Sequence, residues 1–143
     1  MSDGRTVRIV CDTNVLISGV VFGGHARTIM DLARRGIVDN CISPEILAEC
    51  ERVLQRRKFG LSFTDVFGVM DLFQQTYTVV YPKIRIRAVA DDPDDDCILE
   101  AADAARAECV ISGDRHLLAL DRWNQCGILS PARFIHEYFP DPA

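Results

Sequence analysis

VRIVCDTNV, residues 7–15, reads as a β-strand that runs straight into a helix. Val7 to Cys11 is rich in β-formers. Asp12, Thr13 and Asn14 then suit a helix start, because short polar side chains accept hydrogen bonds from the unpaired N–H groups of a first turn. A strand followed at once by a helix is the repeating unit of a parallel sheet. It places Asp12 at the carboxyl end of its strand, where open parallel sheets collect ligands.

The same alternation continues outward. Ile29, Leu32 and Ala33 recur at helical spacing within 25–35, Gly36 supplies a stop, and Ile37 to Ile42 reads as a second strand. Ser43 before Pro44 is a cap-plus-proline helix start. Ile46, Leu47, Cys50, Val53 and Leu54 form the apolar stripe of that helix. Glu49 and Glu51 fall on opposite margins of the stripe, so periodicity leaves open which of them faces a site. Residues 63–76 form an amphipathic helix despite Gly68, and 78–81 a third strand. Lys83, Arg85 and Arg87 alternate with Ile84 and Ile86, which predicts a short half-exposed strand whose cations suit a sheet edge. Asp92 and Pro93 repeat the cap-plus-proline start and lead into a helix ending near Arg106. A fourth strand at 109–112, a short helix at 115–120, a last strand at 127–129 and a terminal helix at 131–139 complete the series. The expected fold is a three-layer α/β/α sandwich around a central, mostly parallel sheet of four to five strands, in one domain over 1–143.

Composition narrows the class. At 143 residues and 16.0 kDa the chain has the length of one domain. With 48% hydrophobic residues and a mean hydropathy of +0.06, it has no apolar stretch near the roughly 20 residues that cross a bilayer. The N-terminus lacks a basic region leading into a long apolar segment, so no signal peptide is read and the cytoplasm is the expected location, with no membrane partner. Six cysteines without C-x-x-C spacing fit buried hydrophobes in a reducing compartment better than a zinc site. A net charge of −5 and a pI near 5.1 argue against a broad electrostatic grip on nucleic acid. Yet Asp91, Asp92, Asp94, Asp95 and Asp96 concentrate much of that charge in one place, where a divalent cation would offset it.

Four acidic residues stand where such a fold would gather them: Asp12, Glu49, Asp96 and Asp114. Gathered carboxylates repel one another unless a cation joins them, which points to a hard divalent metal and phosphate chemistry. Plainer roles exist for each. Asp12 can cap a helix, while Asp92, Asp94 and Asp95 can serve the positive end of a helix dipole. Glu49 lies six residues beyond Ser43, about 9 Å along its helix, so that helix must cross the strand ends for Glu49 to reach a site. Spacing alone does not separate Asp96 from Asp95. His25, His116 and His136 show no metal-ligand spacing, and Arg52, Arg56, Arg57 and Lys58 read first as the solvated face and C-terminal charge of a helix. A phosphate-receiving domain would want a lysine near its aspartates, and the lysines here, Lys58 and Lys83, are not beside Asp12 or Asp114.

Four segments together resemble the PIN domain, the metal-dependent ribonuclease fold of VapC-like toxins: VCDTNVLISG (10–19), SPEILAECERVLQRRKF (43–59), DPDDDCILEAADAARAECVISGD (92–114) and HLLAL (116–120). The resemblance implies that Asp12, Glu49, Asp96 and Asp114 are the metal-binding and catalytic acids. Asp96 is matched because apolar residues follow it at two and three positions, as Ile98 and Leu99 do. Asn14 and Ser112 resemble the residues that orient these acids, and Arg115, His116, Arg56 and Lys58 are weaker candidates for nucleic-acid contact. The implied activity is endonucleolytic cleavage of RNA with Mg²⁺ or Mn²⁺, ions that activate water and screen the phosphoryl oxygens. The implied partners are an RNA substrate, a small antitoxin protein and a second copy in a homodimer. An antitoxin would plug the acidic pocket with an arginine and rest on the helices at 25–35 and 63–76, through Ile29, Leu32, Phe67, Met70 and Phe73. The alternative is a non-catalytic PIN-fold module that binds RNA or protein.

Overall fold

In the computed structural model, which describes residues 6–88 and 93–140, the opening strand β1 (Val7–Cys11) passes directly into α1 (Thr13–Val21), then α2 (Gly24–Arg34) and β2 (Val38–Ile42). Next come α3 (Pro44–Leu54), a 3-10 turn (Arg57–Phe59), α4 (Phe63–Thr76) and β3 (Thr78–Val79). The second half holds α5 (Pro93–Ala105), β4 (Cys109–Ile111), α6 (Arg115–Leu120), β5 (Arg122–Trp123), β6 (Cys126–Leu129) and α7 (Pro131–Tyr138). The Asp92 cap lies outside the described residues.

The strands form one sheet in the order β3-β2-β1-β4-β6-β5, parallel except for β5, which pairs antiparallel with β6. The expected α/β sandwich with a mostly parallel sheet is what the chain adopts. Its described sheet has six strands rather than four or five, because the two-residue β5, which the sequence did not mark, adds an edge beyond β6. Ile9, Val10, Val110, Ile111 and Ile128 are buried, as a sheet covered on both faces requires. α5 packs against β1, β2 and β4, so its first turn lies close to the centre of the sheet.

One expected strand is absent. Lys83–Arg87 pairs with no strand; instead the Ile86 N–H donates to Glu100 Oε2 (2.9 Å) and the Ala88 N–H to Asp96 Oδ1 (3.0 Å). Two carboxylates one helical turn apart on α5 do for this segment what a neighbouring strand would do. Only half of the expected alternation survives: Ile86 is buried between exposed Arg85 and Arg87, while Ile84 is exposed.

Caps set the helix starts. Ser43 Oγ accepts from the Ile46 N–H (3.2 Å) ahead of α3, and Ser62 and Asp65 form a reciprocal capping box at α4. α1 and α2 approach closely at Gly19, where an added Cβ would stand 2.5 Å from Met30 Sδ and 3.2 Å from the Ala26 carbonyl oxygen. The methionine can move but the carbonyl cannot. Gly19→Val is therefore expected to lower stability by about 1–3 kcal/mol, read as a lower urea midpoint at unchanged slope.

Candidate functional site

β1 and β4 are neighbours at the point where the chain changes direction across the sheet: β2 and β3 lie beyond β1, while β6 and β5 lie beyond β4. Such a switch point opens a crevice at the strand ends. Asp12 follows β1 and caps α1, its Oδ1 accepting from the Val15 N–H at 2.9 Å. Its own N–H donates to the Ile111 carbonyl (2.9 Å), which ties it to the end of β4. Asp114 follows β4 and caps α6, with Oδ2 accepting from the N–H groups of His116 (2.9 Å) and Leu117 (3.0 Å).

Ser112 links the two acids. Its buried hydroxyl donates to Asp12 Oδ2 and accepts the Asp114 N–H at 2.9 Å. Both aspartates are thereby held by helix-start chemistry, Asp12 with both carboxylate oxygens accepting hydrogen bonds. Asn14, in the first turn of α1, is exposed beside Asp12.

The acids of α5 point in three directions, because successive residues of a helix diverge by about 100°. Asp94 stands beside Glu49 of α3, Asp95 beside Asp114, and Asp96 accepts from the Ala88 N–H. Asp95, not Asp96, is the α5 acid that these contacts place beside Asp114. The physical reason is helical: Ile98 and Leu99 stand three and four residues after Asp95 and share its face. Counting two and three residues back from them instead reaches the acid that holds the 86–88 segment.

His116 joins the cluster. A ligand atom of each of Asp95, Asp114 and His116 lies within 4.8 Å of the other two. No metal spacing announced this histidine in the sequence; the cap at Asp114 brings it there. Arg115 beside it is exposed.

α3 resolves its own ambiguity. Glu49 is partly buried beside Asp94 and forms an ion pair with Arg52 at 3.4 Å, whereas Glu51 lines a groove with Phe67 and Met70 of α4. α3 packs against α5, which brings Glu49 beside Asp94.

The electrostatics are those of crowded acids. Burial raises the Asp12 carboxyl above its usual range and nearby Asp114 adds to this, against the opposing hydrogen bonds from Ser112 and Val15. Burial, then the charge of Asp94, raises Glu49 as well. Asp114 goes the other way: burial pulls it up, but the Leu117 N–H, Asp95 and the His116 N–H outweigh it. A constellation of carboxylate oxygens with two members pushed toward protonation fits a hard divalent cation, which relieves that repulsion.

The cysteines stand apart from this chemistry. All six are free, five are buried, and burial pushes the Cys50 thiol up to about 12. Among the described residues no single helix is long and apolar enough to cross a membrane.

No curated protein matches the chain. The model of the PIN domain matches residues 8–116, from the first strand through His116, and so takes in Asp12, Glu49, Asp94, Asp95, Ser112 and Asp114. With that match over most of its length, the chain belongs to the PIN domain family, a family of nucleases.

Proposed function

We propose that this protein is an endoribonuclease that works with Mg²⁺ or Mn²⁺ in the cytoplasm. The observation that carries the reading is the convergence of Asp12, Asp95 and Asp114 at the switch point, with Ser112 fixing two of them. The acids that would hold the cation are these three with Glu49 and Asp94; Asp96 has its own structural partner. A bound divalent ion supplies charge stabilisation on the phosphoryl group and an activated water.

The chain's own residues do the rest. Ser112 fixes the spacing of Asp12 and Asp114, so little reorganisation is needed when charge develops. Burial and the neighbouring Asp94 charge raise Glu49, and a cation held between the two carboxylates would relieve that repulsion. His116, exposed at the rim, is placed to meet a phosphate or to complete the ligand set.

Purified protein with Mn²⁺ is expected to cut a labelled RNA internally, and EDTA to stop it. Failure to cut RNA of any sequence with either ion would leave a binding module.

A toxin role with a small antitoxin partner is the finer form of this proposal. Of the residues expected to receive such a partner, Ile29 and Phe73 are core. Phe67 is 68% exposed and lines a groove of about 420 Å³ with Met70, Leu47 and Pro44, which makes it the better candidate contact.

A further inference from the structure

The acidic site continues into a basic and aromatic surface that starts on the last turn of α3 and follows the 3-10 turn after it. Residues 52–58 hold Arg52, Arg56, Arg57 and Lys58 and no carboxylate, in a chain whose net charge is −5. All four cations are exposed. Arg52 pairs with Glu49 at 3.4 Å, and Arg56 lies near enough to stabilise the Glu49 charge. The row therefore begins at the acids and leads away from them. It ends at Phe59, whose ring has Lys58 Nζ 5.1 Å from its centroid and the Phe22 ring edge-on at 6.4 Å.

Phe22 is 74% exposed, although it caps the C-terminus of a helix otherwise packed into the core. Asp12 and Phe22 are the two caps of α1, roughly 15 Å apart at about 1.5 Å per residue. A large ring left in water at the end of a line of cations, one helix length from a phosphodiester-cleaving site, has the make-up of a single-strand binding surface. Such surfaces pair cations that track the backbone with aromatic faces on which unpaired bases stack.

We propose that single-stranded RNA entering the acidic site runs past the C-terminal end of α3, with its phosphates on Arg56, Arg57 and Lys58 of the following turn and a base stacked on Phe22. Phe59 is the support of this subsite, holding the Phe22 ring edge-on while Lys58 covers one face. A duplex keeps its bases paired and gains only the phosphate contacts. The subsite rests on the nuclease reading, since it supplies that reading's substrate, but binding tests it separately from cleavage.

The probe is a fluorescent single-stranded oligoribonucleotide, alone or annealed to its complement, with binding measured by anisotropy on the full chain in EDTA. The single strand should bind more tightly than the duplex. Phe22→Ala should weaken single-strand binding by roughly fivefold to a hundredfold, Phe22→Trp should restore it, and Lys58→Gln should flatten the salt dependence. An intact circular dichroism spectrum is expected for Phe22→Ala, because the ring is exposed. Equal affinity of wild type and Phe22→Ala, or no single-strand binding by wild type, would overturn the subsite. A Phe22→Ala protein that changes its oligomeric mass but not its RNA affinity would overturn it too, marking the ring as a protein contact. Phe22-dependent binding by a protein that never cuts RNA with Mn²⁺ would instead support the subsite and refute the nuclease.

Discussion

Asp95→Asn is expected to reduce RNA cleavage by more than about a hundredfold, beyond the range for groups that only orient a metal ligand, while Asp96→Ala keeps most of the activity and loses stability. The two residues are adjacent, and their geometry separates them. Asp95 stands beside Asp114 at the end of β4, and removing its charge removes part of the cation's hold. Asp96 instead accepts the Ala88 N–H at 3.0 Å and is buried. Its loss strands a partly buried backbone donor, at a cost of about 1–3 kcal/mol. Rates in saturating Mn²⁺ and urea midpoints, measured on both variants, check the assignment. Full activity in Asp95→Asn, with activity abolished in Asp96→Ala at unchanged stability, would reverse it.

Asp12→Asn should be inactive and, without metal, more stable than the wild type near neutral pH. Its carboxylate is 5% exposed, and burial raises its pKa. The folded state therefore binds the Asp12 proton more tightly than the unfolded chain does. Between the usual carboxylate range and the raised folded value, this group makes stability fall as pH rises; above the folded value the full penalty stands. Asparagine removes the penalty and keeps the Oδ1 that caps α1. The stability difference between variant and wild type should thus be largest at neutral pH and close as pH falls through the folded value. Mn²⁺ should do the opposite to the pair. It should stabilise the wild type, by about 2.7 kcal/mol at a hundred times Kd, and leave Asp12→Asn nearly unmoved. Thermal melts across pH, with and without Mn²⁺, give both results, and equal metal-induced shifts would place the cation elsewhere.

Asp12, Ser112 and Asp114 were legible because strand-to-helix junctions have local chemistry: a β-rich run, then a short polar cap. α1 starts where its sequence predicts, and α4 has both of its predicted boundaries. What escaped was decided by distant partners. Asp94, Asp95 and Asp96 are nearly equivalent as letters, and only the direction of a helix turn assigns each its neighbour. The nearness of Asp95 to Asp114 goes with the helical face it shares with Ile98 and Leu99, three and four residues ahead. The 83–87 segment mimics a strand because side chains of α5, a dozen residues on, accept its N–H groups. His116 needed the fold, since its partners come from α5 and from the end of β4. β5 is two residues long and is joined to β6 by a turn in which Asn124 has φ 54°, too short a pattern for periodicity to register.

Those short edges bear on how copies of this chain can meet. A sheet grows by offering a row of unpaired N–H and carbonyl groups to an incoming strand, and here β3 offers two residues at one border and β5 two at the other. Backbone templating, the route to fibrils and to continuous sheets between subunits, has almost nothing to grip. Among the described residues, the surface open to another copy is therefore one of side chains rather than of strand edges.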